Sequence, residues 1–152
     1  MALLIGWREW ASLPDLGVDR IKVKVDTGAK TSALHAFEIQ AHLIDDQEWV
    51  EFKVHPLQDN TAVEIACRAP IVAHRTVRDS GGHEETRVVI ETKINLGEDS
   101  WPIEVTLTDR EAMGYRMLLG RKATLNRFYV DPSQSFVVSA PEAQDAEFEE
   151  EE

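Results

Sequence analysis

Apolar and polar residues alternate with a period of two along most of this chain, a pattern typical of half-buried β-strands. Turn-forming clusters separate the alternating stretches at 45–48, 58–60, 80–82 and 97–100. Many short strands with regularly spaced turns indicate an all-β sandwich or barrel. The clearest alternating stretches are 21–25, 50–54, 88–96 and 101–107.

Helix is predicted only twice and briefly. Asp109 can cap a short turn that ends at Gly114, and the stretch 121–126 has a second helical pattern. With no internal repeat or linker before Pro141, we expect one domain over residues 1–140. Residues 141–152 contain seven acids and no base, so we expect a disordered acidic tail there.

Charge and cysteine content narrow the possible partners and surroundings. Of the net charge of -12, the tail accounts for seven negative charges, and residues 1–140 retain -5 with no basic stripe. A mildly acidic domain without a basic stripe argues against nucleic acid as a partner. The single cysteine, Cys67, cannot form an internal disulfide, and no apolar run reaches membrane-spanning length. We therefore expect a cytoplasmic protein with no membrane partner, in which Cys67 is a small buried residue.

Two motifs contain the candidate chemistry. The strand predicted at 21–25 delivers Asp26 to its end, where it begins the sequence Asp26-Thr27-Gly28-Ala29. Without the second motif, the first interpretation of Asp26 is a turn aspartate that hydrogen-bonds its own backbone, since this is the commoner role of such residues. About ninety residues later the apolar run 117–119 ends in Gly120-Arg121. An apolar strand followed by Asp-Thr-Gly-Ala is how an aspartic protease presents its catalytic carboxylate.

These two motifs, in this order and within a small domain, resemble the retropepsins, the single-domain aspartic proteases. Residues 5–139 are also similar to a bacterial family labelled ATP-dependent zinc proteases or RimK-associated retropepsin-like proteases. The runs that carry this resemblance are 6–10, 13–17, 24–36, 79–82 and 116–121.

The resemblance implies a closed antiparallel β-barrel of the acid-protease kind that acts as a homodimer, in which Thr27 hydrogen-bonds across the dimer axis. It also implies a peptide or protein substrate, including the glutamate-extended tail of a small-subunit ribosomal protein. We predict three groups of site residues: Asp26, Thr27 and Gly28 are catalytic; Ala29, Lys30, Asp79, Ser80, Gly81 and Gly82 bind substrate; Gly120 and Arg121 support the active-site loop.

Aspartic catalysis needs two carboxylates close enough to share one proton, as in aspartic-protease dyads generally. Asp79-Ser80-Gly81 also fits the Asp-Thr/Ser-Gly pattern, but no apolar strand precedes it and the chain has strands for one lobe only. We interpret residues 79–83 as the tip of a flap hairpin with arms 71–78 and 86–91. A glycine-rich polar tip suits a mobile lid. The second aspartate is then expected to be Asp26 of another subunit.

Lys30 is a departure from the viral pattern, which has an acid at this position. Lys30 is therefore either a contact for an acidic substrate or a solvated surface lysine, and the ion pair expected for Arg121 is in question. No zinc motif or phosphate-binding loop is present, and the nearest histidines, His35 and His42, stand seven apart. We expect no metal and no cofactor. The alternative function is a retropepsin-fold module that binds acidic peptides without catalysis.

Overall fold

The computed structural model describes residues 3–57, 62–78, 81–109 and 115–140. Strands dominate these residues, and the helices are a 3-10 turn at Pro14–Leu16 and α1 at Arg121–Thr124. In chain order the strands are β1 Leu3–Gly6, β2 Arg8–Leu13, β3 Val18–Asp26, β4 Ser32–His35, β5 Phe37–Ile44, β6 Gln47–Val54, β7 Ile65–Arg78, β8 Glu84–Leu96, β9 Asp99–Thr108, β10 Met117–Gly120 and β11 Phe128–Asp131.

Six strands form a closed barrel in the order β2-β3-β10-β4-β9-β8, and the pairing of Ser12 with Asn95 joins β2 back to β8. The expected closed all-β barrel is confirmed. Four neighbouring pairs are antiparallel, whereas β3–β10 and β4–β9 are parallel. Parallel pairing brings the ends of β3 and β10 to the same edge, which is where the two sequence motifs lie.

The predicted alternation matches the observed burial. The apolar positions of β6, β8 and β9 point into the core and most of their polar neighbours are more exposed, but Val89, Thr106 and Thr108 on the opposite face are buried too. Burying one face of each strand removes apolar side chains from water, at roughly 25 cal/mol per Å² of area. The buried residues on the core-facing side of these strands are Val50, Phe52, Val54, Ile90, Thr92, Ile94, Leu96, Trp101, Ile103, Val105 and Leu107.

A long hairpin formed by β7 and β8 extends beyond the barrel, with Arg78 paired to Glu84 at its far end. The predicted flap arms 71–78 and 86–91 are thus confirmed as paired strands. Gly82 adopts a φ of 85°, a conformation that glycine takes without strain. Asp79 and Ser80 lie outside the described residues. The β5–β6 hairpin continues the same sheet beyond β7.

The helix predictions have separate outcomes. The second one is confirmed in a shorter form, since α1 ends at Thr124. The turn predicted after Asp109 falls at 110–114, outside the described residues, as do the proposed turn at 58–60 and the tail at 141–152. None of the helices in the described part is long and apolar enough to cross a membrane.

Cys67 is buried, as predicted, and its thiol lies 3.4 Å from the carbonyl oxygen of Leu16. Burial raises the pKa of this thiol to about 11. A thiol with so high a pKa is almost entirely protonated at neutral pH, and the protonated form is a poor nucleophile. Cys67 therefore packs as a small core residue.

The last described residues fold back onto β2, and we call residues 134–139 the clasp. The backbone N–H of Trp7 donates to the carbonyl oxygen of Gln134 at 2.9 Å. The fully buried carboxylate of Glu9 accepts from the N–H groups of Val137 at 2.8 Å and Val138 at 3.2 Å, and from the Ser139 hydroxyl at 2.7 Å. It also accepts from the N–H of Gly6 at 2.7 Å. Glu9 thus ties the two ends of the described chain together.

Candidate active site

Asp26 ends β3 half-buried, at the edge of the barrel where β10 also ends. The parallel register places Gly120 directly opposite Asp26. The chain then turns sharply: the N–H of Gly28 donates to Asp26 Oδ1 at 3.1 Å, and the N–H of Ala29 donates to the Asp26 carbonyl oxygen at 3.2 Å. Asp26 thus forms the Asx-type turn that is the common role of such aspartates. In addition, the strand that ends in Asp26 pairs with β10, the strand of the second motif.

The second motif holds the loop formed by residues 26–30, and we call residues 120–122 the brace. Backbone N–H groups of Arg121 and Lys122 donate to the carbonyl oxygens of Ala29 at 2.8 Å and Lys30 at 3.1 Å. The Arg121 guanidinium donates from Nη1 to the Thr27 carbonyl oxygen at 3.1 Å, with the Gly28 carbonyl oxygen at 3.5 Å. The Arg121 side chain therefore holds the loop by donating to the backbone carbonyl oxygens of the loop, without an acidic partner at position 30.

Gly120 is required by close packing. A β-carbon at this position would lie 2.5 Å from the Thr31 carbonyl carbon and 2.6 Å from its oxygen, which is too short for any side chain. The N–H of Gly120 donates to the buried Ser32 hydroxyl at 3.0 Å, and the Thr106 hydroxyl donates to the Ser32 carbonyl oxygen at 3.2 Å.

Sequence reasoning missed Ser32 and Thr106. Ser32 lies on β4, where no alternating stretch was predicted, and Thr106 lies on the polar side of the stretch 101–107, which gave no sign of burial. Ser32 stands two residues after Lys30, and this proximity to the Asp26 motif is the one signal that could have suggested a supporting role.

The predicted substrate-binding residues divide between two elements. Lys30 is exposed on the loop, and Ala29 beside it is half-buried. Gly81 and Gly82 lie exposed at the hairpin tip, on a separate element. The arms next to the tip carry ion pairs of their own: Arg78 binds Glu84, and Arg87 Nε lies 3.2 Å from Glu85 Oε2.

The structure therefore brings together Asp26, Thr27, Gly28, Ala29 and Lys30 with Gly120 and Arg121. Thr27 is exposed in the single chain. Its expected hydrogen bond across a dimer axis involves a second subunit and stays a prediction.

Among the residues that the structure describes, those that could ligate zinc do not converge. Within the described ranges, no three His, Cys, Asp or Glu side chains are grouped as a metal site requires. Three histidines instead each lie beside one carboxylate: His35 Nε2 is 3.6 Å from Asp109, His42 Nε2 is 3.7 Å from Glu51, and His74 Nε2 is 3.3 Å from Glu48. These single pairs do not fit the zinc that the family label implies.

The family model described as RimB-like, retropepsin-like aspartic endopeptidase RimB, matches residues 4–141. The chain belongs to this family. The retropepsin-like part of the resemblance is thus confirmed, while the family's description contains neither zinc nor ATP.

The chain is also similar in sequence to part of longer curated proteins. The chain is 52% identical over 133 residues to a "Probable alpha-L-glutamate ligase" of Parasynechococcus marenigrum, a match that covers 88% of this chain and 28% of that protein. A protein of the same name from Desulfotalea psychrophila is 47% identical over 130 residues, covering 86% of this chain and 28% of the relative. The chain thus spans less than a third of the length of the curated relatives it matches.

A solved structure shares the fold. The crystal structure of Lpg0085, a protein of unknown function (DUF785) from Legionella pneumophila, has a TM-score of 0.77 and 28% sequence identity. The match covers 91% of this chain and 100% of the Legionella chain.

Proposed function

We propose that this RimB-like domain hydrolyses peptide or isopeptide bonds by an aspartic mechanism, with Asp26 from each of two subunits as the dyad. The observation that carries the proposal is the Asp26 loop, which the brace fixes from a strand about ninety residues away. Fixing a carboxylate on rigid strands, with only part of it buried, is what preorganised acid–base chemistry requires.

The proposed chemistry follows from placing two carboxylates within reach of one water. Like charges at contact cannot both ionise, so the pair shares one proton. The ionised Asp26 takes a proton from water, which attacks the scissile carbonyl carbon. The protonated Asp26 of the other subunit gives its proton to the carbonyl oxygen, which yields a tetrahedral diol. The diol then collapses: the first Asp26 returns its proton to the leaving nitrogen as the C–N bond breaks, and the second Asp26 takes a proton from the diol, so the pair again shares one proton. The described residues supply one such loop per chain, and therefore we propose a homodimer.

The proposed substrate is a glutamate-rich peptide, including the glutamate-extended tail of a ribosomal protein. Two observations support this choice. The curated relatives are named alpha-L-glutamate ligases, so domains similar to this one occur in chains named for joining glutamate. Lys30 is exposed at the end of the Asp26 loop, where it can contact a substrate carboxylate. Hydrolysis of glutamyl bonds would reverse such a ligation.

The central experiment compares hydrolysis of a poly-glutamate peptide by the wild type, Asp26→Asn and Asp79→Asn. We expect Asp26→Asn to lower turnover by roughly 10³-fold or more, because it removes the base and preserves the side-chain volume. Asp79→Asn, at the flap tip, is expected to be far milder. Near wild-type turnover in Asp26→Asn would refute the aspartic mechanism, and equal losses in both variants would restore Asp79 as the second acid.

The proposed dimer has its own test. Mixing wild-type protein with a threefold excess of Asp26→Asn should lower activity per wild-type chain to about one quarter, if subunits exchange freely and mixed dimers are inactive. Specific activity that is unchanged by the mixing, after exchange has been verified with labelled chains, would contradict a shared dyad.

A second candidate is a module that binds acidic peptides without cleaving them. The name of the curated relatives favours it, since a ligase that joins glutamate must hold the molecule to which glutamate is added. Binding of a poly-glutamate peptide with equal affinity by the wild type and Asp26→Asn, and no turnover by either protein, would select this function.

A further inference from the structure

A cavity of about 240 Å³ lies behind the Asp26 loop, between α1 and the outer face of the barrel. Thr31 and Ser32, which directly follow the loop, form one wall. Lys122 and Ala123 of α1 form another, and β9 provides the floor. The cavity is separate from the Asp26 carboxylate, but it shares with that site the segments that hold the loop.

The charged groups in this cavity are of both signs. Lys122 and Arg127 are the cations, and Glu91 and Glu104 are the anions. Glu104 is already engaged: its Oε1 lies 2.7 Å from Arg75 Nη2 and 3.6 Å from Lys122 Nζ, and these neighbours hold the Glu104 pKa below its ordinary value. In contrast, Glu91 takes part in no ion pair within the described part of the chain.

Arg127 is positioned by an aromatic ring. Its guanidinium carbon lies 4.5 Å from the centre of the Trp101 ring, and Trp101 Nε1 donates to the Ala123 carbonyl oxygen at 3.1 Å. A guanidinium that stacks in this way keeps its edge free for a carboxylate. Among the described residues, Arg127 forms no ion pair that would occupy that edge.

We propose that this cavity binds a free acidic α-amino acid such as glutamate. Its two carboxylates would meet Arg127 and Lys122, and its ammonium group would meet Glu91. The volume of about 240 Å³ lies just below the roughly 300–1,000 Å³ of pockets for drug-sized ligands, so it suits a smaller molecule of about ten non-hydrogen atoms. The proposal stands on the cavity alone and does not depend on hydrolysis at Asp26.

Binding is tested by titrating L-glutamate into the full chain and into Asp26→Asn, with the indole N–H resonance of Trp101 as the reporter. Trp101→Phe assigns the resonance. We expect saturable shifts in both proteins with a Kd on the order of 1 mM, as is usual for a ligand this small. Lys122→Met and Glu91→Gln should each weaken binding by about tenfold or more. Glutarate, which lacks the ammonium group, should bind about tenfold more weakly.

Lys53→Met is the matched control, because Lys53 is a partly exposed lysine of β6 that pairs with Glu38 at 2.9 Å and does not line this cavity. It should bind glutamate as the wild type does. An equal loss in Lys53→Met and Lys122→Met would overturn the proposal. Shifts that do not saturate, or that sodium chloride reproduces at the same ionic strength, would do so as well.

Discussion

Two carboxylates of this chain show how differently one functional group is used in the clasp and in the Asp26 loop. Glu9 is fully buried and accepts hydrogen bonds from four residues, so these internal hydrogen bonds occupy the acceptor positions of its carboxylate. Asp26 is half-buried, and within the described residues its side chain accepts from Gly28 alone. A saturated carboxylate stabilises structure, whereas one with free acceptor positions can act on a substrate or water.

The comparison is tested most strongly by Glu9→Gln. The amide keeps the shape of the side chain but turns an NH2 group toward N–H donors, leaving buried groups unpaired. We expect a loss of about 3 kcal/mol in the free energy of unfolding. Turnover per folded molecule should change by less than about twofold, because Glu9 lies outside the proposed chemistry. Urea denaturation and peptide hydrolysis measure the two effects.

Glu98→Gln is the control, since Glu98 is exposed in the turn between β8 and β9. It should change stability by less than about 0.5 kcal/mol. A Glu9→Gln protein as stable as the Glu98→Gln protein would show that the clasp does not depend on the carboxylate.

Two glycines allow a second comparison of the clasp with the Asp26 loop, because a backbone segment packs closely against one glycine in each region. A β-carbon at Gly6 would lie 2.5 Å from the Gln134 carbonyl oxygen of the clasp, and one at Gly120 would lie 2.5 Å from the Thr31 carbonyl carbon. We expect Gly6→Ala and Gly120→Ala each to cost about 1–3 kcal/mol of unfolding free energy. Only Gly120→Ala should also lower turnover, because it displaces the brace. Equal turnover in the two folded variants would show that the position of the brace does not affect hydrolysis.

Arg121 offers a smaller and more local perturbation. Because its side chain is exposed and its acceptors are backbone carbonyls, Arg121→Met should cost less than about 1 kcal/mol of stability. Turnover should fall by about tenfold, since a misplaced catalytic group slows reaction steeply. Arg121→Lys should restore part of that loss. A turnover in Arg121→Met equal to that of the wild type would show that the backbone hydrogen bonds of the brace hold the loop unaided.

The smallest expected effect concerns Glu104, whose pKa is lowered first by its hydrogen bond with Arg75 and further by the charges of Arg75 and Lys122. A carboxylate with a depressed folded-state pKa stabilises the fold above its unfolded pKa, and this stabilisation is lost as pH falls through the folded value. Glu104→Gln should therefore reduce stability by about a few tenths of a kcal/mol near neutral pH and by less in acid. Urea denaturation across the acidic range measures this. A difference that grows as pH falls would contradict the assignment.

The strands were predictable because burial on one face leaves a period-two signal, as in β6, β8 and β9. The Asp26 motif was predictable because it is local in sequence. The parallel pairing of β3 with β10 is set by barrel closure, which alternation does not encode. Glu9 gave no signal of its role either: it is polar in sequence, and three of its four partners lie about 130 residues away. Long-range polar contacts of this kind depend on the assembled fold.

The pairing of Asp26 with Gly120 also fixes when the candidate site can exist during synthesis. A ribosome makes the Asp26 segment early and releases the brace only after another ninety or so residues, and the clasp that holds β2 follows later still. Contacts between distant segments form late, because the intervening chain must first be ordered. A nascent chain that ends before Gly120 contains Asp26 without the groups that hold its loop. The carboxylate is therefore positioned only when most of the domain has left the ribosome.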